Sequence, residues 1–177
     1  MKYSMLLAFT GDGKGKTTAA LGNALRLLGS GKRAVMIQFI KGPWESGEHV
    51  SSLRLAPDFK IIKTGKGFVH ILGDDRPFEE HQDAAMKGLE VAREEIKGGK
   101  YHLLILDEVH NAVALDLIPL SQLLIFLDYA KDKVEYVITT GRDVPKEIIE
   151  RADLVTEVRN IKHPFDKGVM ATKGLDF

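Results

Sequence analysis

The chain has 177 residues, 44% of them hydrophobic and 28% charged, which is the composition of a soluble globular chain large enough for one domain with its own core. Lys plus Arg equals Asp plus Glu at 25 each, so the net charge provides no field that would attract nucleic acid or an anionic membrane. The absence of cysteine excludes disulfides, thiolate metal sites and cysteine nucleophiles, and no apolar stretch approaches the ~20 residues that span a bilayer, so we expect a cytoplasmic protein.

Apolar, β-branched runs alternate along the chain with segments of helical periodicity. In chain order we expect a strand at 4–9, a helix at 16–28, a strand at 34–39, a loop at 41–48, a strand at 59–63, a long helix at 78–97, a strand at 103–106, a helix from Pro119, a strand at 134–139, a short helix from Pro145 and a strand at 154–158. This alternation predicts strand–helix–strand units, an α/β fold with a mainly parallel sheet, and a single domain over residues 1–177.

The connection between the first strand and the first helix has the sequence of a phosphate-binding loop. Its glycines let backbone N–H groups converge on anionic oxygens, and the helix that follows adds partial positive charge at its N-terminus. Lys16 can neutralise phosphate oxygens, and Thr17 can offer its hydroxyl to Mg²⁺. We therefore predict nucleotide binding rather than a tight turn with incidental lysines. The predicted nucleotide ligands are Gly11, Gly13, Lys14, Gly15, Lys16, Thr17 and Thr18.

This loop is one residue shorter than the ordinary phosphate-binding loop. Thr10 stands where the ordinary motif has its first glycine, and Gly11 follows one step late. A shorter loop must hold the phosphates along a different path, so the sequence indicates a nucleotide site that does not perform ordinary phosphoryl transfer.

Further polar residues follow later strands, and ligands in parallel sheets collect at the carboxyl ends of strands. Asp107 and Glu108 end an apolar strand and offer the oxygen donors that Mg²⁺ prefers. Glu108 is our first choice as direct ligand, with Asp107 orienting a water or Thr17; a solvated strand end is the alternative. Arg142 is predicted to clamp a phosphate, the alternative being an ion pair with a surface acid such as Asp143.

Histidines occur elsewhere without the spacing of a ligand set. The segment from His163 to Gly168 follows the last predicted strand, and Pro and Gly set a turn in it. Its side chains could reach a ligand, or the segment could be a tail packed across the domain. For His81 and His102 we predict structural roles.

Taken in this order, the motifs resemble those of the phosphate-loop type of corrinoid adenosyltransferase, the family of ATP:cob(I)alamin adenosyltransferases. The resemblance runs nearly end to end, over residues 10–20, 38–44, 67–68, 106–108, 117–120, 140–142 and 162–168. The short loop together with the His-Pro-Phe-Asp segment is specific, because generic phosphate-loop kinases lack this combination. The resemblance implies a P-loop NTPase-like (RecA-like) fold, in which helices flank the mainly parallel sheet.

The same resemblance implies a reaction. ATP and a corrinoid reduced to Co(I) would be the substrates, with ATP held in the opposite sense to ordinary phosphate-loop enzymes. The cobalt would attack C5′ of the ribose and expel triphosphate, with Mg²⁺ (or Mn²⁺) as cofactor and with Lys16 and Glu108 in catalytic roles. The resemblance further implies a homodimer and an electron donor of the flavodoxin or flavin type.

Corrinoid contacts are implied for Phe68, His70 and Trp44. His70 departs from the family, which usually has an aromatic residue at that position near the lower face of the corrin. Packing, hydrogen bonding, cobalt ligation and no corrin contact at all remain open for His70. Asp12 also departs, from a usual asparagine, and we assign its side chain no role toward ATP because a carboxylate repels phosphate.

Three other functions compete with this interpretation. A conventional small-molecule kinase or ATPase would release ADP and phosphate instead of triphosphate. A RecA-like nucleic-acid-dependent ATPase is disfavoured by the balanced charge and by the lack of a segment rich in arginine and aromatic residues. A nucleotide-sensing protein without turnover is compatible with the same residues. The sequence does not rank cobalamin against its incomplete precursors as the acceptor.

Overall fold

Six strands form the sheet of the computed structural model, which describes residues 4–42, 45–67, 69 and 76–176. The strands are β1 (Met5–Thr10), β2 (Ala34–Gln38), β3 (Phe59–Lys63), β4 (Leu103–Asp107), β5 (Tyr136–Thr140) and β6 (Leu154–Glu157). They lie in the order β3-β2-β4-β5-β1-β6, and every neighbouring pair is parallel. The six predicted strands are confirmed, with ends that differ by at most two residues.

Helices connect these strands. They are α1 (Lys16–Leu28), α2 (Gly47–Arg54), α3 (Phe78–Lys97), α4 (Val109–Ala114), α5 (Leu120–Lys131) and α6 (Lys146–Arg151), followed by a 3₁₀ turn over Pro164–Lys167. The predicted helices correspond to α1, α3, α5 and α6. Pro119 and Pro145 lie directly before α5 and α6, because proline fits the start of a helix, where its missing N–H costs no hydrogen bond.

The sequence did not predict α2 or α4, and the loop prediction for 41–48 is wrong at its last two residues. Helix α2 has only eight residues and buries only Ser52, so it carries no apolar period from which a helix could be read. Its start is fixed instead by a local contact, in which the backbone N–H of Ser46 donates to His49 Nδ1 at 3.0 Å. Helix α4 is six residues long and begins directly after the strand end at Glu108.

The two faces of the sheet are covered by different helices, since successive strand side chains point to opposite faces. On one face, Val35 and Leu104 pack into a core with residues of α3, α4, α5 and α6. On the other face, Met36 and Ile105 pack against Ala20 of α1. Both cores therefore share the same strands.

The parallel arrangement brings the carboxyl ends of the strands to one edge. Gln38 ends β2 and is paired directly opposite Asp107 at the end of β4. Thr140 ends β5, which lies between β4 and β1. The phosphate loop follows β1, so the loop, the acid pair and Thr140 meet at this edge.

Candidate active site

The phosphate loop turns sharply between β1 and α1 and packs against the exit of β6. Gly11 and Gly15 have φ of 99° and 131°, a region that favours glycine. The N–H of Gly13 donates to the carbonyl oxygen of Val158 at 2.7 Å. A Cβ placed on Gly11 would lie 2.4 Å from that same oxygen, so only glycine allows this approach. The exposed Asp12 lies on the solvent side of the loop.

Lys16, the first residue of α1, folds back over the loop. Its ammonium group donates to the carbonyl oxygens of Gly11 and Gly13, at 2.5 and 2.8 Å. Burial, and then the charge of Arg142, lower the pKa of Lys16, while Glu108 raises it. The ammonium therefore lies inside the loop, with the cation of Arg142 and the carboxylate of Glu108 within electrostatic reach.

Asp107 is fully buried and accepts hydrogen bonds on both carboxylate oxygens. The hydroxyls of Thr17 and Thr140 donate to its Oδ1 at 2.9 and 2.8 Å. The amide of Gln38 donates to its Oδ2 at 3.1 Å. Burial raises the pKa of Asp107, and these three donors act in the opposite direction because they favour the charged form.

Glu108 follows in a left-handed backbone conformation, with φ of 61°. Its N–H donates to the hydroxyl oxygen of Thr140 at 2.9 Å, which satisfies an N–H at the start of α4. The pKa of Glu108 is raised by burial and then by the charge of Asp107, while Lys41, Lys16 and Arg142 lower it. A non-glycine residue held at positive φ stores backbone strain, and such strain is common at functional sites.

A cavity of about 600 Å³ opens above the loop. Its lining combines cationic, acidic and backbone groups from three regions: Gly13 to Thr18 and Leu21, then Lys41, Gly47, Glu48, Ser51 and Glu108, and finally Gly174, Leu175 and Asp176. The last three residues bring the C-terminal segment to the loop. The ammonium of Lys14 pairs with Asp176 and donates to the carbonyl oxygen of Leu175 at 2.8 Å.

The structure brings most of the predicted site residues together. All seven predicted loop residues lie at this edge of the sheet, and Asp107 and Glu108 lie beside them. Arg142 is exposed, and its backbone N–H donates to Asn111 Oδ1 at 2.9 Å. The three predicted corrinoid contacts, Phe68, His70 and Trp44, lie outside the described residues.

Two of the other histidines accept backbone hydrogen bonds, and the third is buried in a helix. His163 accepts a hydrogen bond from the N–H of Phe165 at 3.2 Å and so organises its own turn. His102 Nδ1 accepts from the N–H of Arg33 at 3.2 Å, and His81 is buried within α3. In the segment from His163, the residues from Pro164 to Gly168 are exposed, whereas residues 174–176, further along the chain, line the cavity beside the phosphate loop.

Sequence reasoning missed two polar residues and the tail contact. Gln38 is fully buried at the end of an apolar strand, and a lone amide in that position was the available signal. His49 contacts Gln38 at 2.7 Å, but no pattern in the sequence indicates it because α2 itself was not predicted. Contacts of residues 174–176 with the loop join chain positions about 160 apart and have no local signature.

Within the described ranges, no three His, Asp or Glu side chains are grouped so as to hold a metal ion on their own. No described helix has the length and apolarity needed to cross a bilayer.

The fold and the loop define a phosphate-loop nucleotide-binding protein, and the predicted P-loop NTPase-like α/β fold is confirmed. The flagellar accessory protein FlaH from Methanocaldococcus jannaschii superposes with a TM-score of 0.57 over 87% of this chain and 70% of that one. At 12% identity this likeness shows the fold alone.

Sequence comparison gives the family. The family described as ATP:corrinoid adenosyltransferase BtuR/CobO/CobP matches residues 2–177, and the chain belongs to it. A corrinoid adenosyltransferase of Escherichia coli strain K12 is 36% identical over 173 residues, covering 98% of this chain and 85% of that protein. One from Sinorhizobium is 35% identical over 176 residues, covering 98% and 80%. The family inferred from the sequence motifs is thus confirmed.

Proposed function

We propose that this protein transfers the 5′-deoxyadenosyl group of ATP to the Co(I) of a corrinoid and releases triphosphate. The observation that carries the proposal is the shortened phosphate loop in a chain of this family, with Lys16 inside the loop and Thr17 tied to Asp107. An ordinary kinase loop would present the terminal phosphoryl group for transfer. We propose that here the loop holds the whole triphosphate as a leaving group.

The chemistry requires little of the protein beyond alignment and charge. The electron pair of Co(I) forms a Co–C bond with C5′, and the C5′–O bond breaks with its electrons passing to triphosphate. Because the corrinoid supplies the nucleophile, no side chain has to be activated for attack. The protein aligns two bound substrates and stabilises negative charge on the leaving group, through Lys16 and the N–H groups at the start of α1.

We propose that the nucleotide contacts are the predicted ones, and the geometry supports most of them. The loop residues Gly11, Gly15, Lys16, Thr17 and Thr18 surround the start of α1. Gly13 also lines the cavity, although its N–H is bonded to Val158. Lys14 and Arg142 would turn their cations to the phosphates, which for Lys14 means exchanging its contacts with Leu175 and Asp176.

Mg²⁺ (or Mn²⁺) fits the donor set beside the loop. Burial and mutual repulsion raise the pKa of Glu108, and a divalent cation would offset that repulsion. Glu108 lines the cavity, whereas both oxygens of Asp107 are occupied by hydrogen bonds. We therefore propose Glu108 and the Thr17 hydroxyl as ligands, with Asp107 holding Thr17. The ion would neutralise charge on the triphosphate.

The remaining contacts are proposed from family membership. The corrinoid would contact Phe68, His70 and Trp44. An electron donor of the flavodoxin or flavin type would reduce the cobalt, and the protein would act in the cytoplasm as a homodimer.

The deciding experiment is a product analysis. The protein is incubated with MgATP and chemically reduced cobalamin, and the phosphates are separated by ion exchange. We expect intact triphosphate and a light-sensitive cobalt–carbon product in equal amounts. ADP in place of triphosphate would identify a conventional kinase or ATPase and would overturn the proposal. ATP turnover that depends on nucleic acid would support the RecA-like alternative.

A further inference from the structure

A chain of hydrogen bonds links helix α2 to Asp107 through the interior of the protein. The N–H of Ser46 donates to His49 Nδ1 at 3.0 Å, and His49 Nε2 lies 2.7 Å from Gln38 Oε1. Gln38 Nε2 lies 3.1 Å from Asp107 Oδ2. Gln38 and Asp107 are fully buried, so neither can exchange these partners for water. We call His49, Gln38 and Asp107 the relay.

The direction of each hydrogen bond in the relay follows from its first donor. A backbone N–H can only donate, so Nδ1 of His49 is an acceptor and the ring proton sits on Nε2. Nε2 of His49 then donates to the side-chain oxygen Oε1 of Gln38. The side-chain NH₂ group of Gln38 is left to donate to Asp107. Burial lowers the pKa of His49, which is consistent with a neutral ring.

The other carboxylate oxygen of Asp107 is fixed in the same way. The N–H of Glu108 donates to the hydroxyl oxygen of Thr140, so the Thr140 proton is directed to Asp107 Oδ1. Thr17 also donates its proton to Oδ1. Because that proton is committed to Asp107, the lone pairs of the Thr17 oxygen remain available to a cation.

We propose that Gln38 and His49 are positioning residues that act through Asp107 to orient the Thr17 hydroxyl toward nucleotide-bound metal. The inference rests on the metal site of the proposed function. Without the donor on Oδ2, the carboxylate of Asp107 can rotate about its own axis, and Thr17 loses a fixed acceptor. Loss of a partner directly behind a ligand, the place of Asp107, typically costs about 10- to 100-fold in metal affinity, and the lower end of that range applies to Gln38 and His49 because they act through Asp107.

Variants of the relay separate this role from packing. Gln38→Met keeps the length of the side chain and removes the donor, and His49→Leu removes the group that orients Gln38. His49→Gln retains an N–H at the position of Nε2, so it should retain part of the Mn²⁺ affinity that His49→Leu loses. Ser52→Ala is the matched control, because Ser52 is buried in the same helix and bonds to the His49 carbonyl at 2.7 Å without joining the relay.

The measurement is Mn²⁺ binding to the protein–ATP complex in the absence of corrinoid. Electron paramagnetic resonance detects the free and bound Mn²⁺. We expect Gln38→Met and His49→Leu to raise the Mn²⁺ dissociation constant by about tenfold, with His49→Gln between them and the wild type. Ser52→Ala should stay within about twofold, and ATP affinity in EDTA should be unchanged in all variants. Equal Mn²⁺ affinity in wild type and both relay variants would overturn the inference.

A second measurement uses the unaltered, metal-free protein and does not depend on any variant folding. The ¹⁵N chemical shifts of His49 should report the neutral ring with its proton on Nε2 at neutral pH. A charged ring, or one protonated on Nδ1, would contradict the relay.

Both measurements omit the corrinoid, so they separate the two claims. If adenosyl transfer occurs but the relay variants bind Mn²⁺ normally, only the inference fails. If the variants weaken Mn²⁺ binding but no transfer occurs, only the proposed function fails.

Discussion

The Lys16 side chain lies inside the phosphate loop, where its ammonium donates hydrogen bonds to the carbonyl oxygens of Gly11 and Gly13. Burial and Arg142 disfavour its charged form, while the carboxylates of Glu108, Asp12 and Asp107 favour it. An entering polyphosphate would compete with two neutral carbonyl oxygens for this cation. Hydrogen bonds between charged partners are roughly twice as strong as neutral ones, so the ammonium should transfer to the phosphates.

Replacing Lys16 by Ala should lower the rate of ATP use by two to three orders of magnitude, roughly, and leave the fold intact. The side chain supplies charge to the leaving group, and losing one such donor costs about 100- to 1,000-fold in rate. Turnover of ATP with reduced cobalamin measures the loss, and circular dichroism checks the fold. Lys146→Ala is the control, since Lys146 is exposed and pairs with Glu150 within α6. Near-normal turnover in Lys16→Ala would remove the assigned role.

The stability of the protein should depend on pH through His110. His110 is fully buried, its Nε2 has no hydrogen-bond partner among the described atoms, and burial lowers its pKa from 6.5 to about 4. Between these values the unfolded chain binds the proton and the folded chain does not, so stability falls as the pH drops from 6.5 toward 4. The shift corresponds to roughly 3 kcal/mol at most.

Urea unfolding at pH 7.5 and at pH 4.5 should therefore show a smaller acid loss in His110→Leu than in the wild type. Carboxylates also titrate in this range, so the difference between the two proteins is the measured quantity. An acid loss in His110→Leu equal to that of the wild type would contradict the assignment.

At the scale of elements, local patterns predicted the strands and the helices that carry an apolar face. Helix α3 was visible because Ala85, Leu89 and Ala92 recur at helical spacing and face the core. Asp107 was visible as an acid at the end of an apolar run. Helix α2 was not visible, because its start depends on Ser46 and His49 and its only buried side chain is Ser52.

The parts of the site that sequence could not predict depend on tertiary contacts. The neighbours of Asp107 come from β2, α1 and β5, and only the strand order places them together. The left-handed backbone of Glu108 likewise has no signal in the sequence, because glutamate rarely adopts it.

Helix α3 packs close to the end of β2, and Gly88 makes this possible. A Cβ on Gly88 would lie 2.7 Å from ring carbon Cε1 of Phe39 and 2.7 Å from Oγ1 of Thr64. Phe39 is only 1% exposed, so a shift of its ring would have to displace other core residues. Gly88→Ala should therefore destabilise the protein by about 1–3 kcal/mol through overpacking, although alanine is the better helix former.

The matched control is Gly22→Ala in α1, where a Cβ would meet no atom within 4 Å. That substitution should stabilise the protein by up to about 1 kcal/mol. Urea midpoints of the two variants test the pair. A gain of stability in Gly88→Ala would mean that α3 can shift away from β2.

At the scale of the whole molecule, the two cores lie on opposite faces of one sheet and share its strands. Loss of either layer of helices would expose one face of these strands. The sheet would then be less stable as the surface on which the other layer packs. The described elements therefore depend on one another, and we predict that they unfold as a single cooperative unit.

Differential scanning calorimetry should show one heat-absorption peak, with calorimetric and van't Hoff enthalpies that agree. For 177 residues the enthalpy should be roughly 120 kcal/mol near 60 °C. Two separable peaks, or a calorimetric enthalpy well above the van't Hoff enthalpy, would contradict the single-domain prediction.

The C-terminal segment lies at the rim of the phosphate pocket, where Asp176 pairs with Lys14. A dye attached to this segment would therefore report on the rim. Since the chain has no cysteine, one introduced in place of Leu175, whose side chain is 66% exposed, can carry an environment-sensitive dye at that rim alone. Nucleotide that draws Lys14 away from the segment would change the emission, so loading of the pocket could be followed in real time by stopped flow.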